Sequence, residues 1–354
     1  MKPPGLIALL LILAFFAACG AGNDSNNSDS APSSTGSISL SGNSGSFDIP
    51  GGVSSVTLYA NGEMNADNLT ISVMDGPDDS GYVGTYRVAV DGPYGLAVAR
   101  TIPDADYTPV TEGRWRYKIN CFGCLVPEIK AFWKSGEGVN MKLNVILVSQ
   151  SDITSADDPN LQETLGRFKS IFASNGINIS EITYKWIESD DTVITSTDTN
   201  GNFQPDGMDR LFSGNKGNSD FVQLFFVQSA GPGGTLGIAG GIPGPPVAGT
   251  AHSGVIAATF GGLSTLSSHD KNLLGETIAH EIGHYLGLYH TSESNGLRFD
   301  PVSDTGECRK SNPIPASCPD GANLMFFAAG GPSIPQTTLS PGQRFVLRHA
   351  HLVR

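Results

Sequence analysis

Residues 280–290 constrain the fold of this chain more than any other stretch; they read His-Glu-Ile-Gly-His-Tyr-Leu-Gly-Leu-Tyr-His. Helical residues four apart share one face, so His280 and His284 project side by side, one turn apart. Gly287 can adopt a positive φ at little cost, which ends the helix and turns the chain. His290 then returns as a third imidazole. The spacing predicts a helix, a tight turn and three imidazoles that meet at one metal ion.

Three protein ligands that leave one position for water are the pattern of a hydrolytic zinc site. We therefore expect His280, His284 and His290 to bind Zn²⁺. Glu281 lies about 100° around the helix from its neighbour, close enough to a zinc-bound water to act as general base and later to protonate the leaving amine. The alternative is ordinary helical histidines or a non-catalytic metal, and a glutamate at this place favours the catalytic interpretation.

The segment before the motif has the features of a helix start. Ser267, Ser268 and Asp270 are N-cap candidates, and a periodic run follows them. An apolar stripe then steps by four along the face opposite the histidines: Leu274, Ile278, Ile282 and Leu286. This pattern predicts a helix with one face in the core and the other facing a cleft.

The first 36 residues read as export and tether segments. The apolar run from Leu6 to Ala18 is too short to span a bilayer and suits a signal peptide. It ends in Phe-Ala-Ala-Cys-Gly, which resembles a bacterial lipobox, so residues 1–19 predict a signal with lipidation at Cys19. The alternative is a plain signal peptide. Residues 20–36 are small and polar and predict a flexible tether.

Charge and targeting together restrict the partners. The 354-residue chain has a formal net charge of −13, which argues against nucleic acid as a partner. We expect an exported protein, either anchored to a membrane through lipid only and facing the periplasm or cell exterior, or secreted. The oligomeric state is left open.

Four cysteines remain besides Cys19, and an even number in an exported chain predicts two disulfides. Sequence proximity favours the pairs Cys121–Cys124 and Cys308–Cys318. One alternative is a cysteine switch, in which the thiolate of Cys121 or Cys124 occupies the zinc until it is released by cleavage. That arrangement needs a free thiol, which an oxidising compartment disfavours.

Periodicity divides the chain after the tether. Residues 37–118 contain short β-rich runs between turn signals such as Asn61-Gly and Asp75-Gly-Pro, which predicts a small antiparallel β-sandwich. This sandwich is either a binding module or a spacer and folding aid. Residues 119–139 read as a linker that carries the C-x-x-C pair, and residues 140–354 read as the catalytic domain.

The predicted fold class is α+β, with a twisted mixed sheet and an active-site helix in the second domain. Met141–Val148 reads as a strand and Pro159–Ser174 as an amphipathic helix. Phe221–Val227 and Ser253–Thr259 then read as buried strands before the histidine helix.

The motif also resembles that of a known family, the metzincin zinc peptidases, at His280, Glu281, His284, Gly287 and His290. The resemblance implies a methionine turn beneath the metal, and Met325 in Asn-Leu-Met matches it. A cysteine pair and Asp304-Thr305 ahead of that methionine resemble the sequence features of exported bacterial members of the pappalysin branch. The resemblance covers Met141 to Arg354. It implies a zinc endopeptidase that acts on protein or peptide substrates.

Two further expectations follow from the resemblance. An edge strand near Leu236 to Gly240 would pair with the extended substrate. Many relatives carry a tyrosine two residues after the methionine, but this chain has Phe327 there. No hydroxyl from that position can therefore assist the reaction.

A second metal is a weaker hypothesis. Oxygen-bearing side chains recur in one loop, loosely like a calcium site: Asp198, Asn200, Asn202 and Asp206. The glycine that an EF-hand requires after the third ligand is missing. The alternative is a solvated turn.

The competing function is non-enzymatic. In this interpretation the chain is a surface-binding lipoprotein that uses its β-sandwich and retains a vestigial peptidase fold. The intact Glu281 argues against it. Substrate preference depends on loop geometry, which the sequence leaves open.

Overall fold

The computed structural model describes residues 35–62, 69–77, 96–106, 109–121, 125–199, 204–231 and 234–354. The signal, the lipobox and Cys19 lie outside the described residues. The predicted tether extends too far, because Thr35 and Gly36 belong to the first strand. Gly36 packs against the indole of Trp133, which leaves no room for a side chain there. Among the described helices, none is both long and apolar enough to cross a membrane.

The described N-terminal residues form two antiparallel sheets. Their strands are β1 (Thr35–Leu40), β2 (Ser44–Ile49), β3 (Ser55–Asn61), β4 (Thr70–Asp75), β5 (Ala97–Ile102), β6 (Gly113–Asn120) and β7 (Glu128–Lys134). One sheet has the order β1-β7-β3-β5, and the other has the order β2-β6-β4. Both sheets contribute to one hydrophobic cluster. In β6 the alternation is regular, because Trp115, Tyr117 and Ile119 are buried between exposed residues.

The linker predicted at 119–139 is wrong over β7. This strand lies between β1 and β3 in the first sheet and hydrogen-bonds to both. Ile129 and Ala131 point into the shared core and are buried. The seven-residue strand follows Pro127 and the C-x-x-C pair in sequence. The sequence alone does not reveal which strands it pairs with.

The C-terminal part is built on a five-stranded sheet. Its elements are β8 (Asn140–Val148), α1 (Pro159–Ser174), β9 (Asn178–Ile187), β10 (Val193–Ile194), α2 (Asp206–Gly214), β11 (Phe221–Val227), β12 (Ser229–Ala230), β13 (Gly237–Ala239), β14 (Val255–Ala258), α3 (Ser268–Tyr285) and α4 (Pro341–His349). The sheet order is β13-β14-β11-β8-β9. All pairs are parallel except β13 with β14, so β13 is an antiparallel edge strand. This mixed α/β architecture agrees with the predicted class at that level.

Local sequence signals set the helix starts. The Asp158 side chain caps α1, and proline follows it at the first helical position. Ser267 and Asp270 form a capping box at the start of α3. The apolar stripe of α3 is buried in the core between the sheet and α1. Gly275 permits the close approach of α1, because a Cβ there would lie 2.6 Å from the Cβ of Arg167.

Lys134 fixes the first sheet to the end of the chain. Its Nζ donates hydrogen bonds to the carbonyl oxygens of Arg348, Ala350 (3.4 Å) and Val353 (2.5 Å), at the C-terminal end of α4. Burial lowers the pKa of Lys134 to about 7. The carbonyls and the negative end of the helix dipole act in the opposite sense and favour the charged ammonium.

We expect Lys134→Met to lower the free energy of unfolding by about 1–3 kcal/mol, because the variant removes the donor to a buried group of carbonyls. Lys130→Met is the matched control on the same strand, since Lys130 is only partly buried and pairs with Glu128; its effect should stay within about 0.5 kcal/mol. Urea unfolding measures both. Equal stability of the two variants would show that the buried ammonium contributes nothing.

Candidate metal centre

Three imidazoles converge at the end of α3. The Nε2 atom of His290 lies 3.3 Å from that of His280 and 3.1 Å from that of His284. The three nitrogens fall within 4.8 Å of one another. The structure thus brings together the three residues that the sequence predicted as ligands.

Each imidazole is oriented by a bond at its other nitrogen. The Nδ1 of His280 lies 2.7 Å from the carbonyl oxygen of Leu324, and the Nδ1 of His284 lies 2.7 Å from that of Leu288. Carbonyl oxygens only accept, so both Nδ1 atoms carry the proton and leave Nε2 as an acceptor. The Nδ1 of His290 lies 3.0 Å from a carboxylate oxygen of Glu293, which has the same effect.

This donor set fits zinc. Four tetrahedral ligands at about 2.0–2.1 Å are about 3.3 Å apart, close to the two distances between Nε2 atoms. Burial lowers the pKa of His280 to about 4 and that of His284 well below its usual value, so these rings are neutral. Converging acceptors without a proton between them repel, and a cation at their centre removes that repulsion.

The turn after α3 brings His290 back to the helix. The helix ends at Tyr285, and Gly287 has a φ of 111°, which disfavours a side chain. Its N–H donates to the carbonyl of His284 at 2.8 Å, and the N–H of Leu288 donates to that of Gly283 at 2.9 Å. These bonds close the helix end and place His290 beside the first two imidazoles.

Met325 packs against α3 at Gly283, in the segment whose backbone contacts the histidine cluster. Its side chain is fully buried, and its sulfur would be 2.7 Å from a Cβ on Gly283. The Met325 carbonyl accepts from the N–H of Thr291, the residue after the third histidine. Since the carbonyl of Leu324 binds His280, one short segment holds both sides of the histidine cluster.

Glu281 faces the edge strand. Burial raises the pKa of Glu281 to about 8, and hydrogen bonding from the backbone N–H of Ala239 opposes this rise. Gly237 allows the close approach, since a Cβ there would lie 2.7 Å from the Cγ of Glu281. The structure places β13 within the predicted 236–240 region. The sequence does not reveal the contribution of Gly237, because a lone glycine in a strand has many explanations.

One edge of β13 faces away from β14. The Leu236 carbonyl accepts from the N–H of Ala258, and the N–H of Gly240 donates to the carbonyl of Gly254, both on the β14 side. Strand alternation therefore turns the backbone groups of Gly237 and Ala239 the other way, toward α3. An open cleft of about 210 Å³ runs beside this edge and reaches His280 and Glu281. Its other walls come from α3 and from the segment after Met325.

The disulfide predictions have different outcomes. Cys308 and Cys318 are bonded, as proximity predicted. Cys121 is also disulfide-bonded, while Cys124 lies outside the described residues. A bonded Cys121 has no thiolate to offer, so the cysteine switch is wrong for that residue.

The structure gives calcium no support. Asn200 and Asn202 lie outside the described residues. The Asp206 carboxylate accepts from the backbone N–H (3.0 Å) and hydroxyl (2.6 Å) of Thr199 at the start of α2. Neither Asp206 nor Asp198 belongs to a cluster of metal-ligand side chains among the described residues.

Comparison with known proteins identifies the family. The model of Reprolysin_5, metallo-peptidase family M12, matches residues 130–336, more than half of the chain, and includes the three histidines and Met325. The chain belongs to metallo-peptidase family M12. Zinc is the metal of these peptidases. Membership supports zinc-dependent peptidase activity on protein or peptide substrates, and the histidine cluster is the candidate site within this M12 chain.

Solved structures show weaker similarity. Archaemetzincin from Methanopyrus kandleri aligns with a TM-score of 0.36 and 16% identity, over 60% of this chain and 96% of that one. Metalloproteinase-II from Bacteroides fragilis aligns with a TM-score of 0.28 and 16% identity, over 50% of this chain and 60% of that one. No curated protein matches the sequence. The M12 assignment rests on the family model.

Glu293 was not predicted as a site residue, although its position three residues after His290 is the signal that could have indicated it.

We expect Glu293→Ala to weaken zinc binding by about 10–100-fold, because His290 loses the acceptor that orients it. Glu293→Gln keeps an oxygen acceptor, so its zinc affinity should lie between those of wild type and Glu293→Ala. Competition with a chelator measures the affinities, and Glu181→Ala, which removes a surface ion pair with Lys142, is the control. Unchanged affinity in Glu293→Ala would contradict this role.

Proposed function

We propose that this M12 chain is an exported endopeptidase in which His280, His284 and His290 hold zinc and Glu281 is the general base. One observation carries the proposal. Three Nε2 acceptors converge at 3.1 and 3.3 Å beside an open cleft, and each ring is held by a bond at Nδ1. This arrangement supports a metal that faces substrate and is not sealed in the core.

When bound, zinc lowers the pKa of a coordinated water and polarises a carbonyl oxygen. Glu281 is next to His280 in sequence and lines the same cleft. A zinc cation beside Glu281 would favour its charged form and oppose the effect of burial. The carboxylate would then take the proton of the attacking water and deliver it to the leaving amine. Leu324 and Leu288 keep the first two imidazoles in one tautomer throughout.

The free edge of β13 supports binding of an extended peptide. Gly237 offers its backbone N–H and carbonyl on the cleft side, where a substrate strand can add to them, whereas the N–H of Ala239 already donates to Glu281. Backbone pairing needs no free terminus, which supports an endopeptidase. Phe327 lines the opposite wall and contributes apolar surface without a hydroxyl.

We also propose export as a lipoprotein and membership of the pappalysin-like branch. The lipobox-like segment at Cys19 motivates an anchored lipoprotein, and the Cys308–Cys318 disulfide is consistent with an oxidising compartment. The cysteine pair ahead of Met325 supports a pappalysin-like branch. The contacts of Lys134 with the C-terminal segment favour a folding role for the N-terminal sheets over a separate binding module.

We expect Glu281→Gln and Glu281→Ala to bind zinc and to lose activity by about 10²–10⁴-fold in kcat, because the proton acceptor is gone. Hydrolysis of a peptide library by the zinc-loaded protein, with and without chelator, measures this. Zinc content and melting temperature control for folding. Full activity of a zinc-loaded Glu281 variant would contradict the mechanism. A wild-type protein that binds zinc and cleaves no peptide would support the vestigial alternative.

A further inference from the structure

The five-stranded sheet has two edges, and only one of them lies beside the cleft. β13 forms the edge that faces Glu281, and β9 (Asn178–Ile187) forms the opposite edge. β9 contains no proline, and its register with β8 is regular from Glu181 onward. Among the described residues, no strand pairs with its other side. Natural proteins usually shorten, bend or cover such an edge, because it presents unpaired N–H and C=O groups.

The hydrogen bonds to β8 show which residues of β9 turn outward. The Ile187 carbonyl accepts from the N–H of Ser149, so the backbone groups of Ile187 turn toward β8. Alternation along the strand then turns Ile182, Tyr184 and Trp186 the other way. The N–H and C=O groups of these three residues are therefore the ones that a further strand would meet.

One face of β9 carries an acidic and a basic residue four positions apart. The side chains of Glu181, Thr183 and Lys185 share this face and are exposed. Glu181 forms an ion pair with Lys142, and both side chains are nearly half exposed. The Nζ of Lys185 donates to the amide oxygen of Asn215 at 3.1 Å. A carboxylate accepts several hydrogen bonds and an ammonium donates three, so each charge can bind a further partner at the edge.

The spacing of these charges is complementary to itself. When two copies of β9 pair antiparallel about a two-fold axis at Thr183, Glu181 of each copy lies opposite Lys185 of the other. Ile182 then lies opposite Tyr184, and both have outward hydrogen-bonding groups, so the backbones match in the same register. A shift of two residues in either direction places each charge opposite an uncharged residue, and a shift of four places like charges opposite each other.

The second face of the paired strands would bury aromatic surface. Trp186 is 42% exposed, although its indole N–H donates to the carbonyl of Ile153 at 2.6 Å. Its ring lies beside that of Tyr184, with centroids 6.4 Å apart. In the self-complementary register Tyr184 lies opposite Ile182, an aromatic and β-branched pair that stabilises sheets. Trp186 lies opposite Ser180, which is small enough to leave room for the indole.

We propose that β9 is an interface at which two copies of this chain pair antiparallel about Thr183, joining five strands from each copy into one sheet. The occupant is a second copy because the charges complement themselves in the register in which the backbone groups match. Each cleft lies at the far edge of its own sheet, so both stay open to substrate. This association goes beyond the proposed peptidase function and does not depend on it.

Sedimentation equilibrium of the purified full chain measures the association, and we expect a monomer–dimer equilibrium for wild type. Glu181→Lys and Lys185→Glu each turn two opposite-charge contacts into like-charge contacts and should weaken the dimer by about 10-fold or more. The double variant Glu181→Lys/Lys185→Glu should recover most of the lost affinity. Lys118→Glu makes the same change of net charge as Lys185→Glu on an exposed residue of β6 and should leave the dimer unchanged. Circular dichroism checks that each variant folds.

A cross-link tests the register even where the affinity is low. Thr183 lies opposite itself at the two-fold axis in a pair without mutual hydrogen bonds, where Cα atoms are about 4.5 Å apart and a disulfide can form. Under mild oxidation Thr183→Cys should form a covalent dimer well above the wild-type background. Ser180→Cys is the matched control on the same strand and should not, because it lies opposite Trp186. Non-reducing electrophoresis measures both.

Two sets of results would overturn the interface. In the first, wild type stays monomeric and Thr183→Cys forms no covalent dimer, which leaves the β9 edge to some other extended partner or to none. In the second, a wild-type dimer is unaffected by either charge reversal, which means that the copies meet through another surface. A double variant as weak as the single variants would contradict the register. Peptide hydrolysis in Glu281→Gln bears on the proposed mechanism alone.

Discussion

The structure depends on one electrostatic constraint: three imidazole acceptors are held where they would repel each other without a cation. Each ring is fixed from behind, His280 and His284 by carbonyl oxygens and His290 by the Glu293 carboxylate. A protein gains nothing in stability from clustered acceptors, so the arrangement makes physical sense as a prepared metal site.

The rest of the molecule can be understood as support for this cluster. The apolar stripe of α3 fixes the helix in the core, and Met325 fills the space left by Gly283 beneath it. On the cleft side, Gly237 lets the edge strand lie directly against Glu281. Arg167 reaches the same helix from α1 and forms an ion pair with Glu276. The catalytic face of α3 is therefore shaped by small residues and paired charges.

Short-range patterns predicted most of the catalytic part. The 3.6-residue period predicted α1 with its observed bounds, and the histidine spacing indicated the cluster itself. Contacts between distant segments were not visible in this way. The place of β7 depends on strand pairing, and the bond from Leu324 to His280 joins residues 44 apart. The contact between Arg167 and Glu276 spans 109 residues, and neither residue belongs to a motif that would indicate it.

X-ray absorption at the zinc edge tests the central claim most directly. The protein is loaded with one equivalent of zinc and measured in solution. The account predicts nitrogen ligands at about 2.0–2.1 Å with the outer-shell scattering of three imidazoles, and no sulfur. In the His290→Ala variant, the outer-shell scattering should correspond to two imidazoles. A sulfur shell at about 2.3 Å, or an imidazole contribution that His290→Ala leaves unchanged, would contradict it.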